Sequence, residues 1–244
     1  HSIFPIKIKC CVDQLRPPGK RTDMTDHTAE ILVAQNFSGQ DLSAHVFDRA
    51  DLKMSNFSEC RLGGASFAGA DIRRGQLSGC EANTAKFTGT LVSGANLVAA
   101  LFDTCDFTGA KLVQCNASNA RFVRTQMTKV DATGATFQGT CFAESDLRGS
   151  VFCDVDATNA DFQGCDLTGA VFASADISGA NFSGANLTSA DFRYAKLAEA
   201  NFMDAVVDTV IATGTDVHGV QGVPAKLLEK FCDSSSSAAA SYWI

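Results

Sequence analysis

A large apolar residue returns at every fifth position along most of this chain. From Phe37 the series runs through Leu42, Phe47, Leu52 and Phe57 to Phe202 and Val207 without a slip. It comprises 35 positions, of which 16 are Phe, 10 Leu, 2 Ile, 2 Val, 1 Met and 4 Ala. Only Phe4 and Phe231 of the 18 phenylalanines lie outside the register, so composition alone does not produce it. A period of five suits neither a helix, which repeats at about 3.6, nor a half-buried strand, which repeats at about 2. Two places before each centre stands Ala at 18 positions and Cys at 5, and two places after it stands Gly at 14. Each pentad therefore reads as a short extended side with two inward residues, closed by a corner that needs positive φ. One unit cannot bury its own apolar residue, so the units must stack into a solenoid.

The flanks have a different texture. Ile6-Lys7-Ile8-Lys9 alternates like an edge strand, and Arg16-Pro17-Pro18-Gly19 reads as a turn or extended linker. Residues 24–34, with Ile31, Leu32 and Val33, read as a short helix covering the first coil, so that residues 1–34 form an N-terminal extension and cap. The repeat proper is expected over 35–212. Beyond it, Gly214, Gly219 and Gly222 mark loops and Pro224–Cys232 reads as a second capping helix, giving a unit of 213–233. Residues 234–244 form a Ser/Ala-rich tail ending Tyr242-Trp243-Ile244.

Tandem units such as Ala175-Asp176-Ile177-Ser178-Gly179, Ala180-Asn181-Phe182-Ser183-Gly184 and Ala185-Asn186-Leu187-Thr188-Ser189 resemble the pentapeptide-repeat family. That resemblance implies an all-β solenoid: a right-handed quadrilateral parallel β-helix with one pentad per side, about nine coils here, capped by short helices at both ends. Stacked columns of Phe are expected on this basis, with Ala82, Ala117, Ala132 and Ala157 as thin places in the core.

Charge adds one asymmetry. The chain has 20 basic and 27 acidic residues, which argues against a nucleic-acid partner. Residues 37–139 hold 9 acidic and 10 basic residues, whereas 140–212 hold 11 and 3. Asp154, Asp156, Asp161, Asp166 and Asp176 are read either as solvated repeat positions or as an acidic patch for a basic partner. The only Trp, in Tyr242-Trp243-Ile244, suits either docking into a neighbouring protein or strapping the tail to the rod.

Chemistry is sparse. Of 10 Cys, five (Cys60, Cys80, Cys105, Cys115 and Cys165) fall on the small inward site and read as buried thiols, Cys60 and Cys80 stacked without a disulfide. The others (Cys10, Cys11, Cys141, Cys153 and Cys232) leave pairing open. The four His form no metal-ligand spacing with Cys, and no nucleophile elbow, phosphate loop or dinucleotide fingerprint occurs. No enzyme activity, cofactor or metal is expected, and no apolar run is long enough for a membrane span. Two functions follow: a scaffold for protein–protein interaction within a larger complex, or a DNA mimic that binds DNA gyrase or topoisomerase, as some members of the resembled family do. The layout also resembles the thylakoid-lumen pentapeptide proteins of plants and algae, implying a chloroplast, photosystem-associated protein peripheral to a membrane complex. A first residue of His rather than Met reads as a trimmed or processed chain.

Overall fold

Backbone hydrogen bonding explains why the unit is five residues long. In Ala160–Gly164, Phe162 N–H donates to Asn181 O at 2.8 Å and Gly164 N–H to Ser183 O at 2.9 Å, both on the following coil. Asp161 N–H reaches back to Thr140 O at 2.9 Å on the preceding coil. Ala160 N–H closes the previous corner onto Ala157 O at 3.1 Å, as Cys165 N–H does onto Phe162 O at 3.1 Å. One donor is left over, the N–H of Gln163, and it bonds Asp161 Oδ1 at 3.0 Å. A short Asp or Asn before the centre is thus the side chain that completes the pentad's donor inventory.

The computed structural model describes residues 25–225 and Leu227. Within it, parallel bridges join each pre-centre residue to the one twenty places on, as in the series Cys141↔Asp161, Asp161↔Asn181 and Asn181↔Asn201. Twenty residues per coil and a corner every fifth residue make a four-sided rod. We number its sides by their pentads: the first contains Phe37, Phe57 and Leu77, the second Leu42, Leu62 and Ala82, the third Phe47, Phe67 and Phe87, and the fourth Leu52, Ile72 and Val92.

The second corner residue has φ between 53° and 73° at every pentad from Ala29 to Gly219. Positive φ there alone is the mark of a type II turn, which favours Gly. Twenty-three of the residues so placed are nevertheless not Gly, and they include Thr84, Thr104 and Thr209. Ladder bonds on both flanks impose the corner, at about 1–2 kcal/mol of strain for each non-glycine residue.

Both ends differ from the sequence expectation. Residues 25–34, expected as a capping helix, are two further pentads centred on His27 and Leu32, bridged as Asp26↔Val46 and Ile31↔Asp51. Their backbone is held by the second coil, as in His27 N–H to Val46 O at 2.7 Å. At the other end the coil runs past 212, with bridges Lys196↔Asp216 and Asn201↔Gln221. The rod therefore approaches ten coils rather than nine. Ala225 and Leu227 are helical after Pro224, and Leu227 is buried in the hydrophobic core; the rest of the expected helix Pro224–Cys232 lies outside the described residues.

The interior is a set of aromatic columns. Phe102, Phe122, Phe142, Phe162, Phe182 and Phe202 stack with ring centroids 5.0–5.3 Å apart. Phe47, Phe67, Phe87 and Phe107 form a second column at 4.6–5.0 Å, and Phe152, Phe172 and Phe192 a third at 5.0–5.2 Å. Neighbouring columns meet edge to face, as Phe162 and Phe172 do at 5.6 Å and 84°. The packing thus combines both favourable aromatic geometries.

Ala82 and Ala117 are preceded at the small site by Cys80 and Cys115, as the full-sized centres Leu62, Phe107 and Leu167 are by Cys60, Cys105 and Cys165. Ala132 and Ala157 are instead preceded by the larger Val130 and Val155, both buried. Residues two apart in an extended side point the same way, so volume missing at the centre is supplied next to it.

Buried polar groups on the small site are all used. Thr90, Thr125, Thr140, Ser145 and Ser150 donate to the corner carbonyls of Phe67, Phe102, Ala117, Phe122 and Met127 on the coil before. Among the described residues no buried side-chain nitrogen or oxygen lacks a partner. The thiols behave similarly: Cys60, Cys105 and Cys165 donate to Phe37 O, Ala82 O and Phe142 O. Burial pushes Cys105, Cys115 and Cys165 up to about 12, so these sulfurs remain protonated and inert. Cys60 and Cys80 are free thiols. Cys141 and Cys153 are free and half-buried; Cys10, Cys11 and Cys232 lie outside the described residues.

Candidate interaction surface

The acidic residues read either as solvated repeat positions or as an acidic patch do not share a side. Asp156 and Asp176 stack on the first side, Asp161 stands on the second, Asp166 on the third, and Asp154 at the corner ending a fourth-side pentad. A five-residue period on a twenty-residue coil sends successive pre-centre residues to successive sides, which is why a run of Asp in sequence disperses in space. Most also have structural work. Asp156, Asp161, Asp166 and Asp176 accept the corner N–H of Thr158, Gln163, Thr168 and Ser178 at 3.0–3.3 Å. Asp176 further binds Lys196 Nζ at 3.0 Å, and Asp166 lies 3.8 Å from Arg148 Nε. Asp154 alone of the five accepts no corner bond. Tyr242, Trp243 and Ile244 lie outside the described residues.

Three pentads carry a tighter arrangement. In Asp71-Ile72-Arg73, Asp146-Leu147-Arg148 and Asp191-Phe192-Arg193 the guanidinium folds back on its own cap, with Nη2 at 2.6 Å from the carboxylate. The bidentate guanidinium, opposed by burial and joined by the corner N–H, holds each carboxyl below its ordinary 3.8. A folded-state value below the unfolded one adds stability above about pH 4 that is lost as pH falls through the lowered value. Replacing all three Asp by Asn keeps the corner acceptor and removes only the charge. The triple variant should be less stable than the parent at pH 7 by about 1–3 kcal/mol, because each half-exposed pair contributes at most about 1 kcal/mol. Denaturant melts at pH 7 and pH 2.5 check this: the gap should close at the acid end.

Among the described residues no enclosed site accompanies these features. A shallow groove on the fourth side, between Lys53, Met54, Arg74 and Gln114, has Lys53 bound to Asp51 at 3.0 Å, with Arg73 beside it tied to Asp71. Among the described residues no group of three His, Cys, Asp or Glu could hold a metal, and no helix is long and apolar enough to cross a membrane. What sequence reasoning missed is apolar: Ile31, Met54, Tyr194, Met203, Val206 and Ile211 are exposed. All occupy outward repeat positions, which a search for inward periodicity passes over.

A stack of near-identical coils that, among the described residues, offers side surfaces and no enclosed site defines a β-solenoid of the repeat type. Models of pentapeptide repeats match residues 36–67, 46–81, 83–116 and 105–143, and a model of a pentapeptide repeat region matches 125–202. The chain belongs to the pentapeptide-repeat family. No functionally curated protein matches it. Among solved structures it is similar to HetL, a pentapeptide repeat protein involved in heterocyst differentiation regulation from the cyanobacterium Nostoc sp. strain PCC 7120. The identity is 21%, over 80% of this chain and 89% of that one, with a TM-score of 0.54. Full-length QnrB1, a plasmid-mediated fluoroquinolone resistance protein, matches at 20% identity over 84% and 97% of the two chains, TM-score 0.29. A pentapeptide repeat protein of the Arabidopsis thaliana thylakoid lumen matches at 22% over 64% and 80%, TM-score 0.32. The likeness to HetL concerns the fold.

Proposed function

We propose that this protein is a non-enzymatic scaffold, a subunit or auxiliary factor that holds other proteins together in a larger assembly. The observation that carries this reading is the dispersal of the acidic residues. A DNA mimic needs a continuous line of negative charge, whereas here Asp154, Asp156, Asp161 and Asp166 point from different sides, and Asp176 is neutralised by Lys196. A flat-sided rod with its polar side chains committed to its own corners suits contact with proteins through several sides. The rod is taken as right-handed, the hand preferred by parallel crossover connections. The same reading assigns the chain to the thylakoid lumen beside a photosynthetic complex, on the layout of the sequence; subcellular fractionation tests that assignment.

Affinity purification of the tagged full chain should retain a discrete set of proteins. Truncation after Asp233, which removes Tyr242, Trp243 and Ile244, should leave the melting temperature unchanged and weaken that retention. A truncation that lowers the melting temperature and spares the complex would make the tail an internal strap. Inhibition of gyrase supercoiling by the purified protein would overturn the scaffold reading in favour of the mimic.

A further inference from the structure

The fourth side changes character between coils seven and ten. Val151, Val171, Asp191 and Ile211 form one column there, joined by successive bridges. Beside them run Cys153, Ala173, Arg193 and Thr213, and along the corner Asp154, Ser174, Tyr194 and Gly214. The pentads of Val151 and Val171 are stacked neighbours whose half-buried valines and following residues carry no charge and one polar group, the Cys153 thiol, with Asp154 and Ser174 at the corners. Each Val also gives up the corner bond that Asp or Asn makes elsewhere, as Val46, Leu91, Leu101 and Val206 do on other coils. The strip ends on Ile211, 47% exposed, and Tyr194, 67% exposed. Tyr194 lies flat on the next coil, where a Cβ on Gly214 would sit 2.7 Å from its ring. Asp191, by contrast, is buried, its carboxylate held by the guanidinium of Arg193 at 2.6 Å.

We infer that this strip is the surface on which a second copy of the chain docks, antiparallel and side to side. Charge selects the side, and the strip's fit to itself under a two-fold axis selects the occupant. Within residues 140–212 the first side carries a net charge of −2, the second −3, the third −2 and the fourth only −1. Two copies with acidic second halves can therefore approach most closely on the fourth side. A two-fold axis crossing the rod between the coils of Val171 and Asp191 makes the strip complementary to itself. Val151 of one copy then faces Ile211 of the other, and Val171 faces the charge-paired Asp191 and Arg193. Asp154, which accepts no corner bond in its own chain, meets the hydroxyl edge of Tyr194 with Arg193 alongside. Each of these contacts occurs twice.

Four coils at about 4.8 Å each span roughly 19 Å, which places this among small, reversible interfaces with dissociation constants in the micromolar range. The dimer would present both N-terminal halves outward and make the scaffold bivalent. It does not depend on the scaffold reading, because self-association is measured without any partner.

Sedimentation velocity of the full chain, up to about 200 µM, tests the inference. A monomer–dimer equilibrium that tightens with salt is expected, since screening relieves the remaining like charge. Val171→Asp restores the repeat's own corner acceptor, so its melting temperature should not fall, yet it places a carboxylate at the centre of the contact. Its dissociation constant should rise by at least about 100-fold, and Val151→Asn should act in the same direction. A chain that stays monomeric at every concentration overturns the proposal. So does a dimer that survives both substitutions with the fold intact.

Discussion

Phe162→Ala is expected to be among the most damaging single changes the rod can receive. The ring has no exposed surface and lies 5.0 Å from Phe142 at 5° and 5.0 Å from Phe182 at 2°. It also meets Phe152 edge-on at 6.2 Å and Phe172 at 5.6 Å. Removing a buried aromatic costs about 3–5 kcal/mol, and the lost ring pairs place this site in the upper part of that range. For a chain of this size about 4 kcal/mol corresponds to a fall in melting temperature of roughly 8–16 °C. A solenoid distributes its stability between nearest neighbours, so the defect also weakens the coupling between the coils on either side. Calorimetry should show a lower and broader transition, and Phe202→Ala, near the end of the same column, should cost less. Equal effects at the two positions would mean that the column does not act as one stack.

The second large effect concerns the alanine centres. Val130→Ala should cost about 2 kcal/mol, because it removes two methyl groups beside the already small Ala132 and no neighbour can move in. Ala132→Leu alone should cost about 1–3 kcal/mol by overpacking between Val130, Leu112 and Phe152. Together the two changes recreate the pairing seen at Ala110 and Leu112, and the double variant should approach the parent. The resulting coupling of roughly 3–5 kcal/mol is measurable by a double-mutant cycle. Additive losses would show that Val130 does not fill the space left at position 132. On this account Ala132 is not a thin place in the core, and hydrogen exchange across coil six should show protection equal to that of its neighbours.

The repeat core is legible in the sequence because its signal is redundant. Thirty-five centres in one frame determine the coil length, and the Phe columns follow from that length alone. The compensation by Val130 and Val155 is equally present in the letters. Scoring the two inward sites separately hides it, because the two share one volume. The first ten residues of the rod depart from the expected helix for a physical reason. Their centres are His27 and Leu32, and Glu30 stands where Ala is usual. An end coil has a neighbour on one side only, so it tolerates such residues. His27 instead caps an aromatic column, 4.9 Å from Phe47, and pairs with Glu30 at 2.9 Å. The candidate surface is the least legible part. Asp residues that cluster in sequence fan out over four sides, while Val151, Val171, Tyr194 and Ile211 converge from pentads on successive coils.

The direction of the ladder bonds has a mechanical consequence. Nearly all of them run along the rod, from one coil to the next. Tension applied between the two ends would therefore load one ring of bonds at a time, and failure would proceed by peeling from a terminus, with no central point of rupture. Among the described residues the ring holding His27 and Leu32 is the least buried, and it should yield first. Load applied across the rod meets four braced walls around a solid aromatic interior. Such a body resists flattening far better than it resists unravelling, and in a stretching experiment it should lengthen in steps of about one coil.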